Sequence, residues 1–162
     1  MKASRAEPTN LPQMKHLLLT LALCCGLLAA HAQPKVKVLP SEADAQALSK
    51  EVAGHFEAGK VGKAFGALAP HWPIAQEEVA EIEDKTIRYL PLLEERFGGV
   101  IGMEKVSESR IGDFALRETY VVRYRYSAIR LLFTYYRNKD GWILNSFKWD
   151  DSFSLLFDEV KE

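Results

Sequence analysis

The hydrophobic period of this chain changes once, around Gly98-Gly99-x-x-Gly102, and that change decides what it can fold into. Before it, Val79, Ile82, Thr86, Leu90, Leu93 and Phe97 recur at steps of three and four. After it, residues 114–126 alternate: Phe114, Leu116, Glu118, Tyr120, Val122, Tyr124 and Tyr126 face one way, and Ala115, Arg117, Thr119, Val121, Arg123 and Arg125 the other. Steps of three and four place side chains on one helix face, and steps of two on one strand face. Helices followed by an antiparallel sheet is an α+β layout.

The helical half carries its own punctuation. Ser41, with Asp44 three residues on, predicts a capped helix start, followed by Ala45, Leu48, Val52 and Phe56 at helical spacing. Ala58-Gly59-Lys60 predicts a break, and Val61, Ala64, Phe65 and Leu68 a shorter second helix ended by Pro70 and Pro73. Pro91 falls inside the third helix and should kink it. The acids on that helix's polar face read as a solvated surface.

In the sheet half, residues 104–110, 114–126, 129–137 and 142–149 read as strands, with a turn at Ile111-Gly112-Asp113. The turn near Ser127 has no Gly, Pro or Asn to mark it. Between the last two strands, Asn138-Lys139-Asp140-Gly141 suits a three-residue loop with Gly141 left-handed. That register sets Asn138 opposite Trp142, Phe133 opposite Phe147 and Leu131 opposite Trp149. It puts Tyr135, Ile143 and Asn145 on the core side. A two-residue loop would pair Phe133 with Ser146 and Leu131 with Lys148, a poorer apolar match. The second face then holds Leu132, Tyr136, Trp142 and Leu144, which suggests a cover. A homodimer through this outer sheet face is one candidate. The C-terminal segment, with Phe153, Leu156 and Phe157 at helical spacing, is another.

The first 32 residues read as an export signal. Residues 17–30 are an almost unbroken apolar run, with Lys15 and His16 before it and Ala30-His31-Ala32 after it. The run is shorter than the roughly 20 residues a spanning helix needs, so no permanent membrane anchor is expected. Met14 supplies a compact start of its own, and cleavage is expected between Ala32 and Gln33. Cys24 and Cys25 raise lipidation, but Leu23 is a poor residue before a lipidated cysteine. The expected destination is the periplasm or exterior of a bacterium. A mature domain of residues 33–162 would hold no cysteine, which excludes disulfides and thiol chemistry. It would carry 18 Lys+Arg against 21 Asp+Glu, a net charge of −3, which argues against nucleic-acid binding. The strand arginines and tyrosines also point to opposite faces, where a nucleic-acid platform needs rings and cations together.

Several motifs resemble the nuclear transport factor 2-like superfamily, which includes SnoaL-like cyclases and ketosteroid isomerases. They are Ala58-Gly59-Lys60 before Lys63-Ala64-Phe65, then Trp72-Pro73-Ile74, Arg96-Phe97-Gly98, Ile111-Gly112-Asp113 and the run FTYYRNKDGWILNSFKWDD. The last resembles the closing hairpin of exported bacterial members. The resemblance implies a cone-shaped, cystatin-like topology, with N-terminal helices packed on the concave face of a curved antiparallel sheet around a pocket. It does not assign a function.

Chemistry-bearing motifs are sparse. His55 and His71 are far apart and no H-E-x-x-H occurs, so no metal is expected; no cofactor fingerprint and no G-x-S-x-G elbow is present. The candidate site is the concave face: Glu118, Tyr120, Tyr135, Asn145 and Trp149. Glu118 is the ionisable group in an apolar and tyrosine stripe, where a carboxyl is desolvated and fit to carry a proton. Asn145 reads either as a satisfied buried amide or as a ligand contact. The leading expectation is a non-catalytic domain binding a small apolar ligand or a protein partner. An isomerase or cyclase using Glu118 as general base, with Tyr135 or Asn145 as oxyanion donor, is the alternative; it lacks a second carboxyl on this face. A structural homodimer subunit is the third.

Overall fold

The computed structural model describes residues 36–159. The expected export signal, the expected cleavage between Ala32 and Gln33, and both cysteines lie outside the described residues. Among the described residues, three helices precede a curved four-stranded antiparallel sheet, the α+β arrangement that the periods require.

Helix α1, Glu42–Glu57, starts with the expected box: Asp44 N–H donates to Ser41 Oγ, and Ser41 N–H to Asp44 Oδ2. It stops because Gly59 turns left-handed, with φ of 66°. Gly59 N–H then reaches the Phe56 carbonyl and Lys60 N–H the His55 carbonyl, a Schellman closure. Helix α2, Val61–Leu68, passes into a 3-10 turn, Ala69–His71, at Pro70. The N-terminal strand-like segment is latched there: Lys37 N–H donates to the Pro70 carbonyl, and His71 Nδ1 lies 2.6 Å from the Lys37 carbonyl. A carbonyl only accepts, so Nδ1 carries the hydrogen; burial lowers this imidazole's pKa. Helix α3, Gln76–Phe97, contains Pro91 and buries Val79, Thr86, Leu90, Leu93 and Phe97.

Strands β1, Val100–Ile111, β2, Ala115–Tyr124, β3, Ala128–Asn138, and β4, Gly141–Asp150, pair in chain order. β1 is longer than expected and β2 shorter. Phe114 and Tyr126 belong to the flanking turns and are exposed, not to the buried row. The unmarked turn is Arg125-Tyr126. Tyr124 N–H bonds the Ser127 carbonyl, while Arg125 and Tyr126 N–H groups donate to the carbonyls of Gly99 and Phe97. The turn is held from outside by the α3–β1 junction, so it needs no turn residue of its own. Gly98 is the counterpart: a Cβ there would lie 2.9 Å from Arg125 Cβ.

The β3–β4 hairpin corrects the expected register. Asn138 pairs with Gly141, so the loop is the two-residue Lys139-Asp140. Asn138 Oδ1 closes it by accepting from Asp140 and Gly141 N–H. That register runs to Tyr135 opposite Leu144. It then shifts, and Thr134 pairs with Ser146, Phe133 with Phe147 and Leu131 with Trp149. Both registers are therefore realised, and Asn145 is the extra residue of the bulge between them. A bulge reverses side-chain parity. Trp142 and Leu144 thus face the core, Ile143 moves to the outer side opposite Tyr136, and Asn145 is exposed. The core-side placement of Asn145 and Ile143 is overturned, as is the outer placement of Trp142 and Leu144. Gly141 also admits Leu39, which exchanges two backbone hydrogen bonds with Trp142; a Cβ on Gly141 would lie 2.6 Å from the Leu39 oxygen. The corrected register makes a prediction. Leu144→Ala should cost about 3 kcal/mol in urea unfolding and Asn145→Ala less than about 0.5 kcal/mol; the reverse order would contradict the bulge.

The inner face of the sheet carries the core. The Phe147 ring meets Phe56, Phe65, Trp72 and Phe133 with centroids 5.1–6.3 Å apart. On the outer face, Leu156 covers Val121 and Ala128 beside Val106, so the C-terminal segment does fold back. Phe153 and Phe157 pair with each other and stay exposed. Arg130, also on this face, holds Asp150 by two hydrogen bonds of 2.8 and 3.0 Å. Burial alone would raise the Asp150 pKa; the guanidinium's bonds outweigh it and hold the carboxyl low.

Candidate functional site

β2 and β3 bring three of the five expected residues together. Glu118, Tyr120 and Tyr135 project from neighbouring positions of the inner face and are buried. Tyr135 hydroxyl lies 2.8 Å from Ser49 Oγ on α1, and burial pushes its pKa well up. Burial, then the charge of Glu118, also raises that of Tyr120. Both phenols therefore stay protonated near neutrality.

Glu118 is 0 % exposed. Its partner comes from a second bulge, between Lys105 and Ser107 on β1. Val106 is the extra residue, so Lys105 and Glu108 both turn to the inner face. Lys105 Nζ lies 2.5 Å from Glu118 Oε1 and also binds Glu108. The contact with Glu118 is an ion pair whose ammonium is poorly aligned with the carboxylate oxygens. Burial alone would lower the Lys105 pKa; its bonds and charges from Glu108 and Glu118 hold it above the ordinary value. The chain of charges continues to the surface: Arg110 bridges Glu108 and Glu42, and Gln46 donates to Glu108. Lys105 was missed from sequence because a bulge in a weakly alternating strand hides which way it points.

Trp149 lies apart from this cluster. Its indole N–H donates to Thr86 Oγ1 at 2.9 Å, and its ring meets Tyr89 at 5.8 Å. With Ile82, Tyr89 and Leu92 it lines an open groove of about 520 Å³ on one flank of α3. Asn145 is on the opposite side of the sheet, in solvent.

The larger concavity, about 640 Å³, opens on the other flank of α3. Phe56, Val61, Ile87, Leu90, Val100 and Tyr124 form its apolar wall. Lys60, Lys63 and Glu94 supply charges around it, and Gly59 and Gly62 leave its mouth without side chains. The helix break that shapes it was legible in Ala58-Gly59-Lys60; its lining by β1 and β2 was not. Neither of these two concavities is lined by Glu118. Among the described residues, no three His, Cys, Asp or Glu side chains gather as a metal site, and no helix is long and apolar enough to cross a membrane.

No family model matches the chain, and no curated protein matches it. Two solved structures are similar. One is a provisionally assigned NTF2-like transpeptidase from Campylobacter jejuni, 13 % identical, with a TM-score of 0.43, covering 62 % of this chain and 96 % of that one. The other is a provisionally assigned calcium/calmodulin-dependent protein kinase type II association domain from Thiobacillus denitrificans, 15 % identical, with a TM-score of 0.42, covering 70 % of this chain and 96 % of that one. At that level no property of either protein transfers to this chain.

Proposed function

We propose that the domain binds a small, mainly apolar molecule without acting on it chemically, in the concavity between the α1–α2 turn, α3 and the first strands. The observation that carries this reading is the concavity itself. Its volume, about 640 Å³, lies within the range of small-molecule sites, and its wall is apolar with a few charged groups at the edge. The general-base alternative is less well supported: Glu118 is sealed from solvent and held against Lys105, with neither concavity reaching it.

A thermal-shift screen of apolar compounds tests the proposal. A ligand present at about 100 times its Kd should stabilise the fold by about 2.7 kcal/mol. Ile87→Trp, at a position 46 % exposed on the wall, should fill the space and remove the shift without unfolding the protein. A screen in which no compound raises Tm, or a shift that survives Ile87→Trp, would sink the reading.

A further inference from the structure

We infer that a second copy of this chain docks on the outer face of the sheet, each copy laying its C-terminal segment on the open half of the other's face. The inner face is filled by the core, so the outer one is what the sheet offers to a partner. At the end of that face by the β2–β3 turn, Leu156 stands on Val121 and Ala128. The segment around it leaves Phe153, Leu155 and Phe157 each 45 % exposed or more. At the opposite end, by the β1–β2 turn and the β3–β4 hairpin, Ile111, Phe114 and Tyr136 are exposed to the same degree, and the Phe114 and Tyr136 rings lie 6.4 Å apart. One half is thus a raised apolar segment and the other an open apolar floor, and exposed apolar surface on this scale marks an interaction site.

The two halves also differ in charge. The strand residues of the open half supply Arg117 and Lys148, both exposed, and no acid. The acids at its rim have bases of their own: Asp113 lies 3.9 Å from Arg137, and Asp140 follows Lys139 in the hairpin. In the raised half the sequence past the Arg130–Asp150 pair brings Asp151, Asp158, Glu159 and Glu162 against Lys161, and the strands below add Glu104 and Arg123. An acidic apolar segment and a basic apolar floor therefore share one face of one molecule. That arrangement points to a second copy rather than to an unrelated protein.

A half-turn about an axis lying between two such sheets and across their strands brings each raised half onto the other's open half. Both contacts form at once, and the interface closes at two copies. Four strands about 4.8 Å apart and about 30 Å long offer roughly 600 Å² of flat face. The raised segment adds side-chain surface, which brings each copy to the order of the about 800 Å² that a specific interface takes from a partner.

The test uses residues 33–162, which form a compact unit of their own. In that chain the residues after Glu159 reach about 10 Å at most, whereas Tyr136 lies about 25 Å along β3 from Ala128, so they do not close the open half themselves. Sedimentation should show a dimer at micromolar protein. Arg117→Glu/Lys148→Glu and Asp158→Lys/Glu159→Lys should each weaken it about 100-fold, because like charges then meet. Mixed in equal amounts, the two variants should pair at close to the wild-type affinity, since one face is now acidic throughout and the other basic. Circular dichroism checks that each variant folds. Tyr136→Ser/Phe157→Ser, which removes two exposed rings and no charge, should weaken the dimer at least about tenfold and decides the matter where a charge variant does not fold. A monomer at every concentration, a dimer that none of these variants weakens, or two charge variants that stay monomeric when mixed overturns the proposal.

Discussion

Phe147→Ala is expected to lose about 4 kcal/mol of unfolding free energy, the largest loss from any single truncation argued above. The ring is 5 % exposed and contacts four aromatic rings drawn from α1, α2, β3 and the Trp72 segment. Removing it empties the junction where the helical layer meets the sheet, and the four surrounding elements cannot all close on the void. Domains of this size have stabilities of about 5–15 kcal/mol, so the variant should remain measurable in urea with a lowered midpoint. Phe157→Ala serves as the control. That ring is 71 % exposed, and its loss should cost less than about 1 kcal/mol. Equal costs for the two would mean that the core is not centred on the β3–β4 hairpin.

Lys105→Met should cost about 3 kcal/mol at neutral pH, although lysines of intermediate exposure are usually replaceable. The reason is Glu118, which is fully buried and has no well-directed hydrogen bond. Its desolvation is offset by the Lys105 ammonium 2.5 Å away. Removing one partner of such a pair leaves an uncompensated charge, whereas replacing both by apolar groups is often neutral. Lys105 is about one-third exposed, so water softens the loss and the low end of the usual range applies. Adding Glu118→Leu to Lys105→Met should return most of the stability. Lys105→Met costing under about 0.5 kcal/mol, or a double variant worse than the single, would show that Glu118 does not depend on this ammonium. The cycle also bears on function, since a carboxylate whose role is structural is replaceable without loss of ligand binding.

The candidate site was half legible. The period of two placed Glu118, Tyr120 and Tyr135 on one buried face, and that face is where they lie. It failed at Asn145, because one inserted residue reverses every side chain beyond it. The hairpin sequence supports two registers almost equally, a tight Asn-x-x-Gly turn and the Phe133–Phe147 and Leu131–Trp149 pairs, and the chain satisfies both by spending one residue on a bulge. Lys105 was hidden for the same reason, through Val106. The larger concavity could not be read at all. Its wall joins residues of α1, α2, α3, β1 and β2 that share no periodic pattern.

Sequence alone settled what depends on neighbours a few residues away. The Ser41 cap, the Gly59 stop, the end of α3 at Gly98 and the buried row of β2 from Leu116 to Tyr124 each follow from contacts within one turn or one pleat. Tertiary structure alone decided where the strands slip, which acid meets which base, how the Arg125-Tyr126 turn is held, and where empty space remains. Those outcomes depend on pairing across the sheet and on layers meeting. Pairing responds to the count of residues on both strands, and a cavity is whatever volume the packed layers fail to fill.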